Sequence, residues 1–494
     1  MSVVTSCGMQ GVTSDIPVKQ DGTRQVYITM EGGSGKAHIE SPVTVTAKDG
    51  QMFATLVWSS KNYDYVLVDG VKYVNENPGG NSTFTVPVKN LDEPFTFTGD
   101  TVAMSTPHEI EYTIIWDTGP WADIGTQDDQ NIPGNAGFGS RPSDYKEPVI
   151  PGYEKTGEVP VSYAQGFSIK EYEDLKLISI YGVGEYLVVP EDANVPENLP
   201  DGITVLKKPL DKTYLVSTSV MDLLRAVGAL SNVTLSGKQA GDWYIKEASD
   251  MMTEGKIEYA GKYRTPDYEL ILSKGCNLAI ENTMIYHDPE VKEKLEELGI
   301  PVLVETSSYE SDPVGRLEWI KLYGVLFDRE GEATQLFDEE AKKIEDAAKH
   351  ARDQKSVAVF YVSATGLVNV RSSNDYVAKM IGMAGGRYVP EDAGSGDDDP
   401  SGTVTMQTED FYVGAKDADI IIYNSTIDKE INSLAQLIDK NAILADFKAV
   451  KEKKAYCLKR EFFQRTMSMS VFIEEMQDII AGGGKDYTFF ERLE

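Results

Sequence analysis

Two arginines carry the clearest chemical signal in this chain of 494 residues. Arg316 follows the apolar run PVLVE (301–305) and the loop SSYESDP, and Arg371 follows SVAVFYV (356–362), so each stands between a strand and a helix. A guanidinium binds paired oxygens in bidentate fashion where lysine cannot. Facing one another, the two would offer two cations to an anion, in a chain whose net charge is −32. The rival reading pairs Arg316 with Glu318 or Asp312 on the surface. Other polar and aromatic residues stand in equivalent places. Ser217, Thr218 and Ser219 follow TYLV and precede VMDLL, where one is expected to cap a helix while offering its hydroxyl to a ligand. Thr283, Met284 and Tyr286 lie between LAIEN and the helix opened by Pro289, and an exposed Met and Tyr pair there reads as a contact surface; His287 reads as a turn residue. Tyr309 precedes Arg316, Ser363 and Thr365 follow SVAVFYV, and Tyr376 follows Arg371. Arg460, Phe462, Phe463 and Arg465 follow KAYCLK, placed to close the same site.

Catalytic constellations are thin. No GxGxxG follows a strand, no P-loop, HExxH or GxSxG occurs, and four histidines leave little base chemistry, so an enzyme is not expected. The negative charge is spread along the chain, which argues against nucleic-acid binding. The acidic loop GSGDDDPSG (394–402) lacks the glutamate spacing of an EF-hand and reads as a solvated excursion. No run of 18 apolar residues is present.

Three cysteines rule out a disulfide framework, and Cys276 and Cys457 beside strand-like runs read as core residues. Cys7 differs. Val4, Thr5, Ser6 and Cys7 fit the end of a bacterial lipobox, and the polar stretch that follows suits a tether. The expectation is a lipidated Cys7 and a chain that starts late relative to its apolar leader.

The elements that must position these residues fall into blocks. Residues 1–24 read as the tether, and 25–117 as an antiparallel sandwich of eight period-two strands with a hairpin at Asp69–Gly70. Residues 118–160, dense in Pro, Gly and Asp, read as a linker. In 161–329 strands and helices alternate as a first α/β lobe, with LKLISIY, YLVVP, ITVLKK, TYLVST, DYELIL, LAIEN and PVLVE as its strands. One uninterrupted helix at 330–352 puts Leu336, Phe337, Ala341, Ile344 and Ala347 on one stripe. At about 30 Å it spans a small domain and holds two lobes at a nearly fixed spacing. A second lobe fills 353–494, in which ILADF reads as a strand.

From about Val161 onward the chain resembles the substrate-binding proteins of bacterial ABC importers for iron siderophores, haem and cobalamin, whose lobes are joined by one long helix. The resemblance rests on TPDYELILSKGCNLAIENTMIYHDPEVKEKLEELGIPVLVE and SDPVGRLEWIKLYGVLF in the first lobe. In the second it rests on VRSSNDYVAKMIGMAGGRYV, EDFYVGAKDADIIIYN and FKAVKEKKAYCLKRE. It implies a bilobal periplasmic-binding-protein fold with a largely preformed inter-lobe cleft. Expected ligand contacts there are Ser217, Thr218, Thr283, Met284, Tyr286, Tyr309, Arg316, Ser363, Thr365, Arg371, Tyr376 and Arg460. It further implies a transported ferric siderophore, haem or cobalamin with no intrinsic cofactor, and a permease partner. The expected protein is a monomer, held to the outer face of the cell membrane through its lipid alone. The sandwich is similar, more loosely, to the NEAT haem-binding domains of Gram-positive surface proteins, which carry a Tyr-x-x-x-Tyr pair. HEIEY places His108 and Tyr112 at that spacing, on one face of a strand, as candidate haem-iron ligands. The rival reading, from another class, is an adhesin or scaffold whose sandwich binds a host or cell-wall partner.

Overall fold

In a computed structural model of the chain, the structure describes residues 22–32, 37–48, 51–89, 91, 94–102, 108–117, 138–350, 354–363, 367–394, 402–425, 430–484 and 486–494. The chain divides into two compact units, Met1–Pro120 and Trp121–Glu494.

Alternating apolar residues in the first unit build the eight strands that their period dictates. The strand Gly22–Gly32 pairs through its first half with Val43–Lys48 and through its second with His108–Asp117. It thereby joins two sets of antiparallel strands into one eight-stranded path that runs from Val71–Val74 at one end to Thr83–Val88 at the other. Asp69 (φ 50°) and Gly70 (φ 77°) form the tight turn between Tyr63–Val68 and Val71–Val74 that their types demand. Trp58 stacks on Tyr63 at 3.7 Å between ring centroids, and the Tyr63 and Tyr112 hydroxyls meet at 2.8 Å. A Cβ at Gly99 would sit 3.3–3.4 Å from Tyr112, Trp58 and Tyr63, so the aromatic cluster uses the space that glycine leaves.

Among the described residues the second unit holds three sheets, one more than the sequence reading allows for. Phe167–Tyr172, Leu175–Ile180, Gly184–Val189 and Ile203–Lys207, with Gly157–Val159 at one edge, form a five-stranded sheet of their own, antiparallel apart from its last pair. LKLISIY, YLVVP and ITVLKK therefore do not belong to the parallel sheet of the first lobe. That sheet runs Glu258–Tyr259, Val233–Ser236, Thr213–Leu215, Leu278–Asn282, Val302–Glu305, all parallel. DYELIL is a helix, Tyr268–Lys274, because Asp267 caps it by accepting from the Leu270 N–H and Gly275 ends it at φ 68°. The second lobe is a mixed sheet around the parallel strands Ser356–Val362, Ile420–Asn424 and Ala455–Leu458. ILADF is a 3-10 turn over Ala442–Asp446 rather than a strand.

The long helix runs Glu330–His350. Phe337, Ala341 and Ile344 are buried in one core that continues through both lobes. The helix packs on Ile320–Leu326 on one side and on Met469–Ala481 on the other. A Cβ at Gly324 would come within 2.6 Å of the Ala333 methyl, so the close crossing at this point requires glycine.

Two buried carboxylates fasten the entering chain to the first lobe. Glu318 accepts from the N–H groups of Ser162, Tyr163 and Ala164 and from the Lys321 ammonium. Glu310 accepts from Gln165 and Gly166 N–H and from the Trp319 indole. Burial pushes the Glu310 carboxyl above its ordinary range, against these hydrogen bonds.

Candidate functional site

Parallel strands deliver their loops to one end of a sheet, and in the first lobe the polar residues of the reading lie after Leu215, Asn282 and Glu305. Asp312 accepts from the N–H groups of Val314 and Gly315 and so starts the helix Pro313–Glu318 on which Arg316 stands. With Asp312 capping and Glu318 holding Lys321 and three backbone amides, neither carboxylate forms the surface pair of the rival reading. The Arg316 guanidinium instead covers the ring of Tyr376 from the second lobe, 3.8 Å from its centroid. Tyr376 opens the helix Tyr376–Met383, capped by Asp375, and lies parallel to Phe462 at 6.3 Å.

Arg316 and Tyr376 form one side of a small cavity, open to solvent, that Phe462, Phe463, Arg465, Thr466 and Met469 complete. Two guanidinium groups, one from each lobe, therefore share one small space walled by aromatic rings. Arg465 is partly neutralised by Glu461 at 3.3 Å.

Arg371 is not on the cavity wall. It is only 7 % exposed, pairs with Asp375 at 3.2 Å and donates to the Thr403 hydroxyl at 3.2 Å. Burial raises the Asp375 carboxyl despite that neighbour. Arg371 lies 5.9 Å from the Tyr376 centroid, so it supports the ring while its charge is balanced by Asp375. Arg465, rather than Arg371, supplies the second cation.

The first-lobe serines and threonines are engaged among themselves. Ser217 precedes the helix Thr218–Ala226 without capping it through its side chain. Its hydroxyl donates to buried Glu305 at 2.9 Å, and the Ser219 hydroxyl donates to the same oxygen. Thr218 is half-buried at the first helical position. The Thr283 and Tyr309 hydroxyls meet at 3.2 Å. Met284, expected to be exposed, is 6 % exposed and packs in the first-lobe core, because Thr283–His287 winds as a 3-10 turn that folds its side chain inward. Tyr286 stacks on Phe138 at 5.8 Å, and Phe138 also meets Tyr309 at 5.2 Å. Burial pushes the Tyr286 phenol up to about 12. Phe138 carries no sequence signal, since it lies within the stretch 118–160 that reads as a linker.

In the second lobe Ser363 closes a turn through Leu367, and Thr365 lies outside the described residues. Arg460 donates to the Ser425 carbonyl at 3.4 Å and its N–H to Glu430, away from the cavity walls. Cys7 and the His108 side chain also lie outside the described residues. Tyr112 is 2 % exposed, inside the sandwich, with its hydroxyl on Tyr63. Among the described residues no group of three or more His, Cys, Asp or Glu side chains is arranged to hold a metal ion.

The family model described as periplasmic binding protein matches residues 215–461, half of the chain. The chain belongs to that family, one of solute-binding proteins rather than enzymes. Two curated relatives are uncharacterized lipoproteins of Methanocaldococcus jannaschii. One is 27 % identical over 294 residues, covering 57 % of this chain and 68 % of the relative. The other is 25 % identical over 364 residues, covering 69 % and 88 %. Among solved structures, a possible iron-binding periplasmic solute-binding protein from Staphylococcus epidermidis aligns with TM-score 0.44 at 15 % identity, over 55 % of this chain and 98 % of that one. A periplasmic haem-binding protein from Pseudomonas aeruginosa aligns with TM-score 0.43 at 15 % identity, over 57 % and 98 %.

Proposed function

We propose that this protein is an extracytoplasmic solute-binding protein, lipid-anchored through Cys7, that captures an anionic iron chelate, haem or a corrinoid between its lobes and delivers it to an ABC permease. The observation that carries this reading is the cavity itself. In a chain of net charge −32, Arg316 and Arg465 come from different lobes to one space lined by Tyr376, Phe462 and Phe463. Such a surface suits a ligand that joins negative charge to flat or apolar groups. The sandwich, with Tyr112 buried in its core, serves as a spacer or partner-binding module in this reading.

The test is direct. Purified protein is titrated with haemin, cyanocobalamin and ferric siderophores, following ligand absorbance and tryptophan fluorescence. A saturable shift with one of them is expected. No response to any, together with no chelate in the mass spectrum of material co-purified from native cells, would sink the reading.

A further inference from the structure

Three asparagines stand in Asn-x-Ser/Thr triplets, the acceptor pattern for N-linked glycans in exported proteins: Asn81-Ser82-Thr83, Asn232-Val233-Thr234 and Asn424-Ser425-Thr426. Such triplets also arise by chance, and it is the fold that separates them. Asn424 ends the parallel strand Ile420–Asn424, pairs with Leu458 and is 3 % exposed. Asn232 is half-buried; its amide nitrogen donates to the Leu210 carbonyl at 3.1 Å, and buried Val233 follows it into the first-lobe sheet. A sugar on either amide would break these contacts.

Asn81 is placed differently. It closes the loop between the strands Val71–Val74 and Thr83–Val88, and it is exposed together with Glu76, Asn77, Pro78 and Gly79. A Cβ at Gly79 would meet nothing within 4 Å, so the loop borders open space. The Asn81 amide nitrogen donates to Glu40 at 3.2 Å, an exposed bond that costs little to exchange for water. The backbone below is fixed. Buried Ser82 donates its N–H to the Ser60 carbonyl at 3.0 Å and accepts from the Tyr63 N–H at 3.1 Å, and the Thr83 hydroxyl donates to the Asn81 carbonyl at 3.0 Å. With Ser82 buried in the folded unit, an enzyme that grips the whole triplet must read it before this loop closes, and the folded unit then carries the sugar at its surface. The neighbouring strand Val71–Val74 ends the eight-stranded path with Val71 54 % and Val74 65 % exposed, and a bond from the Glu76 N–H to the Thr83 carbonyl at 2.8 Å keeps it close to Asn81. Exposed sheet edges of this kind are managed by covering them.

We propose that Asn81 is an N-glycosylation site whose glycan stands beside the exposed edge strand of the first unit. The donor is an oligosaccharide carried on a polyprenyl phosphate or diphosphate. In the transfer the bond between its anomeric carbon and the phosphate oxygen breaks, a bond from that carbon to the Asn81 Nδ2 forms, and the amide proton leaves with the phosphate. The inference rests on the extracytoplasmic reading above, since the chain must cross the membrane to meet such a donor.

The test is a mass spectrum of tryptic peptides from the full-length protein purified from its native cells. The peptide Tyr73–Lys89 should be heavier by whole sugar residues, and peptides holding Asn232 and Asn424 should keep their unmodified masses. Asn81→Gln and Thr83→Ala should each lose the increment. Thr83→Ser should keep it, which separates reading of the hydroxyl from a folding defect. Protease treatment of intact cells tells the two inferences apart. An unmodified Asn81 in protein that protease reaches from outside would overturn the glycan and leave the transport reading standing. Protein shielded inside the cell would overturn the extracytoplasmic reading and the glycan with it, and a glycan at Asn232 or Asn424 in place of Asn81 would overturn the proposal as well.

Discussion

Arg316 of the first lobe and Tyr376 of the second meet with the guanidinium 3.8 Å from the ring centroid. This is a contact between the lobes and at the same time one side of the cavity. Replacing the arginine consequently removes a cation from the ligand and a cover from the ring. Arg316→Ala should weaken an anionic probe by about 1.5–3 kcal/mol, the worth of a charged hydrogen bond. Arg316→Lys should recover only part of that, because the bidentate fork is lost. Fluorescence titration with whichever of haemin, cyanocobalamin or a ferric siderophore binds would measure it; equal affinity in all three proteins would remove Arg316 from the site.

Arg371→Ala should behave differently. It leaves Asp375 buried beside Tyr376 and Tyr388 with its cation gone, and breaking such a pair costs about 3–5 kcal/mol. Urea unfolding should show that loss, with Asp375→Asn in the same background restoring part of it. A variant of full stability with weakened ligand affinity would mean that Arg371 faces the ligand after all.

The sandwich offers a test of the Tyr112 placement. Tyr112→Phe deletes its hydrogen bond to Tyr63 and nothing else, so stability of the first unit should fall by about 0.5–1.5 kcal/mol. Its haemin absorbance, whatever the parent shows, should be unchanged. A spectral change in this variant would bring the phenol back as a ligand.

Acid sensitivity of the second lobe should centre on Asp419. Burial alone would raise its carboxyl, but hydrogen bonds from Lys448 and Ser356 outweigh that and hold it at about 2, below its ordinary 3.8. A depressed carboxyl contributes stability that is present above 3.8 and is lost as pH falls toward 2. Because the pair is open to solvent, screening reduces the linkage to about 1 kcal/mol. Asp419→Asn should lower stability at pH 7 by a comparable amount and flatten the fall between pH 4 and 2. A parallel pH dependence in the variant would place the acid-labile group elsewhere.

How far the sequence could be read depended on whether a signal was local. The Asp69–Gly70 hairpin, the eight alternating strands and the stripe of Phe337, Ala341 and Ile344 are properties of short windows, and each is found where its period puts it. LKLISIY and its neighbours were legible as strands, but a strand does not say which sheet it joins. DYELIL fits two periods, and only the flanking Asp267 and Gly275 decide for a helix. At the site, Arg316, Tyr376, Phe462, Phe463 and Arg465 were all named from their loops. Arg371 is buried against Asp375, and the four-residue spacing between them does not by itself reveal that burial.

The segment Ser162–Gly166 is gripped by Glu310 and Glu318, and Glu318 belongs to the same six-residue helix, Pro313–Glu318, as Arg316. Any displacement of Ser162–Gly166 would therefore be passed by two carboxylates directly to the residues around Arg316.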